Sequence, residues 1–264
     1  MTIIYFLIFI LGASVGSFVS VYAERGNTSG RSICVNCKKQ LKAWELIPIF
    51  SYIFVLGKCT SCKAKIPFRL FLNEIVLGVW FLFSYIYLST IYQDIFLVLV
   101  ISLLWFFGSV FYLLVLEDFE SMTVSSVLVN LLVITSIIVA ILKILLIPNI
   151  NLFIETLLPQ LIVAPLWIIY LVNKNAIGEA DPYVFSAIGL FFGSQFVLST
   201  FLYSVWVGTI WGIIYLIFIN KKFERGVRIP FLPIIFFSTL LILIFDYHIL
   251  QIRDILLLNE IFFA

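Results

Sequence analysis

Apolar residues run along this chain in blocks of about twenty, separated by short polar or charged segments. A helix needs about 20 such residues to cross about 30 Å of hydrocarbon. That ruler predicts spans over Ile3–Tyr22, Leu70–Ile91, Ile95–Leu116, Thr123–Ile147, Thr156–Val172, Pro182–Leu198, Thr200–Asn220 and Ile229–Leu250. The pattern is that of an all-α polytopic membrane protein of about eight transmembrane helices. The boundary with least punctuation lies near Ser199, because the 39 residues from Pro182 to Asn220 carry no charge and must be folded into two spans. The organisation expected is a first span over 1–23, a polar loop over 24–69, a seven-helix core over 70–250 and a tail over 251–264. Within the tail, Asp254–Ala264 is too short to span and reads as interfacial.

Composition agrees: 264 residues, 63% hydrophobic, 11% charged and a mean hydropathy of +1.19 exclude a single water-soluble core. The distribution of charge says more than its sum of +2. Nine of the sixteen Lys and Arg fall in the loop over 24–69, which by the positive-inside tendency stays in the cytosol. Alternating sides from there puts Glu117–Met122, Asn173–Asp181 and Lys221–Arg228 in the cytosol too, and leaves only Lys143 and Arg253 toward the outside. The first span follows an uncharged Met-Thr, whereas a cleaved signal peptide carries its charge before the apolar run, so a retained span with its N-terminus outside is expected. The basic residues are explained by topology and no aromatic-studded basic motif occurs among them. The partner implied is therefore the lipid bilayer and not, directly, a nucleic acid.

The loop contains all four cysteines, as Cys34-Val35-Asn36-Cys37 and Cys59-Thr60-Ser61-Cys62, with 21 residues between the pairs. Two CxxC turns aim four sulfurs at one point and close a tetrahedral Zn²⁺ site. Two disulfides are the alternative, and they need an oxidising compartment. A cytosolic loop favours zinc. Such a site has no open ligand position, so its role is structural, a clip for a polar loop too small to hold a core alone. No repeat or low-complexity segment is evident along the chain.

Two short acidic segments lie at predicted helix ends on the cytosolic side, Leu116-Glu117-Asp118-Phe119-Glu120 and Ile177-Gly178-Glu179-Ala180-Asp181-Pro182. Carboxylates at membrane depth are costly and persist where they face a cavity, a partner or a substrate. Two brought close cannot both ionise easily, so one holds a proton, the arrangement an aspartyl protease needs. Plainer readings stand beside this one. Asp181 before Pro182 suits an N-cap followed by a first-turn proline, and Glu117, Asp118 and Glu120 suit a solvated turn. A proton- or cation-coupled transporter using Asp118 and Asp181, or an inactive membrane scaffold recruiting partners through its cysteine loop, uses the same residues differently.

Over most of its length the chain resembles the prepilin peptidases, the bacterial type IV leader peptidase family of intramembrane aspartyl proteases. Gly16-Ser17-Phe18 with Arg25 resembles the family's first span and exit. The loop supplies Cys34, Cys37, Leu46-Ile47-Pro48-Ile49-Phe50-Ser51-Tyr52, Gly57-Lys58-Cys59, Cys62 and Glu74 in the family's order. Arg228-Ile229-Pro230-Phe231-Leu232-Pro233 resembles its Pro-Phe-Gly-Pro helix entry. The resemblance implies a bacterial cytoplasmic-membrane enzyme with catalytic aspartates Asp118 and Asp181, the latter closing the family's GxGD motif. Its expected partners are prepilin or pseudopilin precursors, cut at the cytosolic boundary between a basic leader and an apolar helix; in a naturally competent bacterium these would be DNA-uptake pseudopilins. Ala180 stands where GxGD has its second Gly, and Met122-Thr123-Val124 lacks the Ile-Pro that often follows the first aspartate. Many relatives with the cysteine loop also N-methylate the new N-terminus with S-adenosylmethionine. That second cofactor rests on the resemblance alone, since no glycine-rich nucleotide loop is visible.

Topology returns Asp118 and Asp181 to one membrane face, as a dyad requires. The single histidine, His248, sits two residues from Asp246, a spacing that puts the two on different helix faces. Asn27-Thr28-Ser29 matches a glycosylation triplet but lies in the cytosolic loop. Trp80, Trp105, Trp167, Trp206 and Trp211 read as packing or interface anchors.

Overall fold

The computed structural model describes residues 2–26, 30–91, 94–146, 156–174, 176–218 and 230–255. The basic segment Lys221–Arg228, the triplet Asn27–Ser29 and the tail after Ile255 lie outside them. Among the described residues regular structure is helical: α1 (Thr2–Arg25), α2 (Phe50–Phe54), α3 (Phe68–Ile91), α4 (Asp94–Ser121), α5 (Ser126–Leu146), α6 (Leu158–Val172), α7 (Asp181–Phe192), α8 (Ser194–Phe218) and α9 (Leu232–Ile255). α1, α3, α4, α5 and α8 contain candidate membrane spans, and Leu158–Val172, Asp181–Phe192 and Leu232–Phe245 are shorter apolar helices. The chain is a multi-pass membrane protein. It forms two compact units, Met1–Leu97 with Leu104–Leu113, and Val98–Leu103 with Leu114–Ala264.

In the first unit α1 and α3 pack closely because glycine lets their backbones approach. A Cβ on Gly12 would lie 2.5 Å from the Leu77 carbonyl oxygen, and one on Gly16 would lie 2.6 Å from that of Asn73. Between lipid-immersed helices there is little hydrophobic drive, so such small-residue seams and buried hydrogen bonds supply the adhesion. Here the bonds form a chain: the Tyr112 hydroxyl donates to Asn73 Oδ1 (2.7 Å), Asn73 Nδ2 to Ser20 Oγ (2.9 Å), and Ser20 Oγ to the Gly16 carbonyl (2.8 Å). Trp105 stacks on Phe81 with ring centroids 4.7 Å apart and donates its indole N–H to Ser84 Oγ at 3.1 Å. Trp80 is wholly buried over Gly108. Trp80 and Trp105 are thus packing residues, as their sequence context suggests.

In the second unit α7 packs against α5, α6 and α8. Eight of its twelve residues are buried, spread around the helix, so it is a core element and not an amphipathic one. At 1.5 Å per residue it rises about 18 Å, short of the hydrocarbon thickness. The charge-free run that the sequence divides near Ser199 breaks instead at Gly193, whose φ of 98° lies in the left-handed region. Glycine alone adopts that conformation without strain, so it punctuates a run in which no charge does. The second helix of the run therefore starts at Ser194 rather than Thr200. Lys143, assigned by charge counting to the outer side, donates from Nζ to the Phe191 carbonyl at 2.7 Å, a cation at the partly buried C-terminus of α7. The final helix extends through Ile255, five residues beyond the expected end at Leu250.

These packing constraints predict graded effects of glycine substitution. A Cβ on Gly108 would overlap the buried Trp80 indole nitrogen, whereas one on Gly212 meets nothing within 4 Å. Gly12→Ala and Gly108→Ala are expected to destabilise the protein by about 1–3 kcal/mol each. Gly212→Ala should be neutral or stabilising by up to about 1 kcal/mol. Thermal unfolding of the three purified variants in one detergent measures the difference.

Candidate active site

Among the acidic residues of the segments 116–120 and 177–182, burial separates two from the rest. Asp118 is 9% exposed and Asp181 5%, and they are the buried acidic residues among those described. Asp118 does not lie in a turn, because α4 continues to Ser121 and carries Glu117, Asp118 and Glu120 on its last turn. Its Oδ2 accepts the backbone N–H of Leu232 at 3.0 Å. That donor is at the start of α9, where the first N–H groups of a helix have no partner within it. The Pro230–Pro233 entry therefore presents a free donor that the distant aspartate satisfies.

Asp181 is the first residue of α7 and not its N-cap, which is Ala180. The carboxylate turns back so that Oδ2 accepts the Gly178 N–H at 3.1 Å, while the Asp181 N–H donates to the Gly178 carbonyl at 3.2 Å. A Cβ on Gly178 would lie 2.9 Å from that Oδ2, so a side chain here would press on the carboxylate. Ala180 has φ −76° and ψ −24°, ordinary helical values, so the backbone does not require glycine there. The two carboxyl groups are close enough for the charge of Asp118 to act on Asp181.

The neighbouring acids have other work. Glu117 Oε2 accepts the Ser125 N–H at 2.8 Å, closing the start of α5, and Glu179 bonds the Tyr170 hydroxyl. Met122, which follows α4, takes φ 53° and donates its N–H to the Asp118 carbonyl at 3.0 Å. It closes the helix in the left-handed conformation more usual for glycine or asparagine. Nothing in local sequence marks the Leu232 or Gly178 N–H as partners of the aspartates, because backbone donors carry no side-chain signature.

The four cysteines converge in the first unit. Their sulfurs all lie within 4.8 Å of one another, with Cys34 and Cys62 3.8 Å apart and Cys37 and Cys59 4.0 Å apart. Four thiolates at about 2.3 Å from a tetrahedral zinc have edges of about 3.8 Å, so the donor set fits that ion, and none of the four is in a disulfide. Each CxxC sits in a small turn closed the same way. Cys34 N–H donates to Lys39 O and Lys38 N–H to Cys34 O; Cys59 N–H donates to Ala64 O and Lys63 N–H to Cys59 O. The two turns are a short structural repeat that reading for hydrophobic periodicity does not detect. Backbone N–H groups also point at the sulfurs: that of Cys37 first, with that of Asn36, holds the Cys34 thiol below its usual range. The Ala64 N–H, with further hydrogen bonds, brings Cys62 down to about 6. Glu45 ties the two turns together, accepting from Thr60 Oγ1 and pairing with Lys39 Nζ at 3.7 Å.

Comparison with known proteins covers the same two regions. A family profile described as the bacterial peptidase A24 N-terminal domain matches residues 10–88, and one described as the type IV leader peptidase family matches residues 105–213. Among curated proteins, the prepilin leader peptidase/N-methyltransferase of Bacillus subtilis is 26% identical over 253 residues, covering 87% of this chain and 89% of that protein. The Legionella pneumophila protein of the same name is 27% identical over 222 residues, covering 80% and 71%. The Neisseria gonorrhoeae protein of that name reaches 46% identity over 50 residues, which is 19% of this chain and 18% of that relative's length. No solved structure matches.

The sulfur geometry predicts one zinc per chain in purified protein, lost on combining Cys34→Ser with Cys59→Ser and measured by elemental analysis. A thiol at about 6 is mostly thiolate at pH 7, and its contribution to the loop is lost as pH falls through that value. Chelator-stripped protein should therefore alkylate rapidly at Cys62 at pH 7 and slow markedly below pH 6, as read by peptide mass spectrometry.

Proposed function

Because the chain belongs to the type IV leader peptidase family, we propose that it is an intramembrane aspartyl endopeptidase. It removes the basic leader from type IV prepilin or pseudopilin precursors at the cytosolic membrane face. The observation that supports this most is that Asp118 and Asp181 are buried, within electrostatic reach of each other, and bonded only lightly, to backbone N–H groups. The pair shares one proton. Its ionised member takes a proton from water, which attacks the scissile carbonyl while the protonated member donates a hydrogen bond to the carbonyl oxygen. Collapse of the tetrahedral intermediate breaks the C–N bond, and the acid now holding the proton delivers it to the leaving amine.

In this reading α6, α7 and α9 complete eight crossings with the five longer helices, the N-terminus lies outside, and the cysteine loop is cytosolic. Cys34, Cys37, Cys59 and Cys62 hold a structural zinc that clips the loop and takes no part in hydrolysis. The paired names of the curated relatives support a second activity, N-methylation of the new N-terminus with S-adenosylmethionine as methyl donor. No described residue is assigned to that donor.

Coexpression with a candidate prepilin tests both activities, because leader removal and an added methyl group change the mass of the product differently. Asp118→Asn and Asp181→Asn are each expected to reduce cleavage on the order of 10⁴-fold with membrane levels unchanged. Full cleavage by either variant removes that residue from the dyad, and a transporter or inactive scaffold would give no cleavage even unmutated. Ala180→Gly should leave cleavage within about twofold, whereas Gly178→Ala, which crowds the Asp181 carboxylate, should lower it by about tenfold or more.

A further inference from the structure

The polar loop emerges where α1 ends and α3 begins, and an ion pair of 2.8 Å between Arg69 and Glu24 joins those ends. Between Gly26 and Phe68 it carries seven basic residues and one acidic one, Glu45, whose carboxylate is turned inward onto Lys39 and Thr60. The outward field of the loop is therefore positive. Its apolar side chains are not all inside: Ile53 is 52% exposed, Phe54 75% and Leu56 82%. Beside them lies an open cavity of about 420 Å³, lined among others by Tyr52, Leu56, Lys58, Lys65 and Phe68. Phe68 is the first residue of a candidate span, and Leu72, one turn further along it, is exposed as well. The cavity and its apolar edge are thus continuous with the flank of a membrane helix at the level where the chain leaves the hydrocarbon.

α2 is held in this place at some cost. Ile49 adopts φ 64° and ψ −55°, and the Phe50 N–H reaches back to the Pro48 carbonyl at 2.6 Å, which makes a strained γ-turn at a β-branched residue. The Ile49 N–H is gripped by Glu74 Oε2 of α3 at 2.6 Å, and Tyr52 stacks on Phe71 with centroids 4.8 Å apart. Strain of this kind persists only where surrounding contacts over-determine it. Those contacts keep α2 against the first turns of α3.

We propose that this edge of the loop is a membrane-surface anchor for anionic phospholipid: Lys58 and Lys65 hold a headgroup phosphate at the cavity, and Ile53, Phe54 and Leu56 enter the acyl boundary. An exposed apolar edge flanked by lysines, with the membrane plane fixed by the adjoining span, matches the chemistry of an interfacial anchor on an anionic leaflet. It serves to hold the cysteine loop flat against the bilayer. The inference depends on α1 and α3 spanning the membrane and is independent of the aspartates, so it can fail while the peptidase reading stands, and the reverse.

The test is hydrogen exchange of the full-length, zinc-loaded protein in detergent, in phosphatidylcholine nanodiscs and in nanodiscs with added phosphatidylglycerol. Amides of residues 50–57 are expected to exchange more slowly with phosphatidylglycerol present, on the order of fivefold for each lysine engaged. Combining Lys58→Glu with Lys65→Glu should abolish that difference while the cysteine turns stay protected. Equal exchange in the two nanodisc compositions overturns the proposal, as does the same protection from inorganic phosphate in detergent. Should charge reversal release zinc, the comparison of lipids on the unmutated protein decides alone.

Discussion

Inside a bilayer no water is at hand to complete a hydrogen bond, so each polar group buried there has to find its partner in the protein. That constraint accounts for most of the specific contacts in this chain. Asp118, at the end of α4, closes on the N–H group of Leu232, which opens α9. Asp181, opening α7, folds back on Gly178, and Lys143 covers the Phe191 carbonyl where α7 ends. The Leu232 and Phe191 pairings satisfy backbone groups that helix geometry leaves without a partner, and the Gly178 pairing closes the turn that enters α7. The same contacts hold the two carboxyl groups in fixed positions, so one set of bonds serves both the packing of the second unit and the dyad we propose there.

The first unit meets the constraint through close approach. Gly12 and Gly16 bring α1 onto α3, and the chain from Tyr112 through Asn73 to Ser20 runs along that contact. The cysteine loop cannot use these means, since it has too little apolar surface for a core. It relies instead on four converging sulfurs, backbone N–H groups aimed at them, and the Glu45 carboxylate shared between the two turns. The backbone donors favour thiolate at Cys34 and Cys62 before any metal arrives, which lowers the cost of assembling a zinc site at those two ligands.

Much of this was legible in the amino-acid pattern. Apolar blocks of membrane length predict the long helices, with ends off by a few residues, and the two CxxC pairs predict the sulfur cluster. Asp118 and Asp181 stand out from pattern and resemblance together. The breaks were harder: the split at Gly193 is one glycine in a run with no charge, and Glu117 to Glu120 read as a turn when they are the last turn of α4. A helix end is set by which partners its terminal groups find, and those partners lie elsewhere in the chain.

What the sequence alone determined is therefore whatever depends on residue type and local spacing: membrane-length helices, a tetracysteine loop, and aspartates at two helix ends. Which of five neighbouring acids are buried, that α9 lends its first N–H group to Asp118, and that the backbone at Ala180 is ordinary helix were decided by tertiary structure. The physical reason is that burial and backbone hydrogen bonding between segments as far apart as residues 118 and 232 depend on packing, and neither leaves a mark in the local sequence.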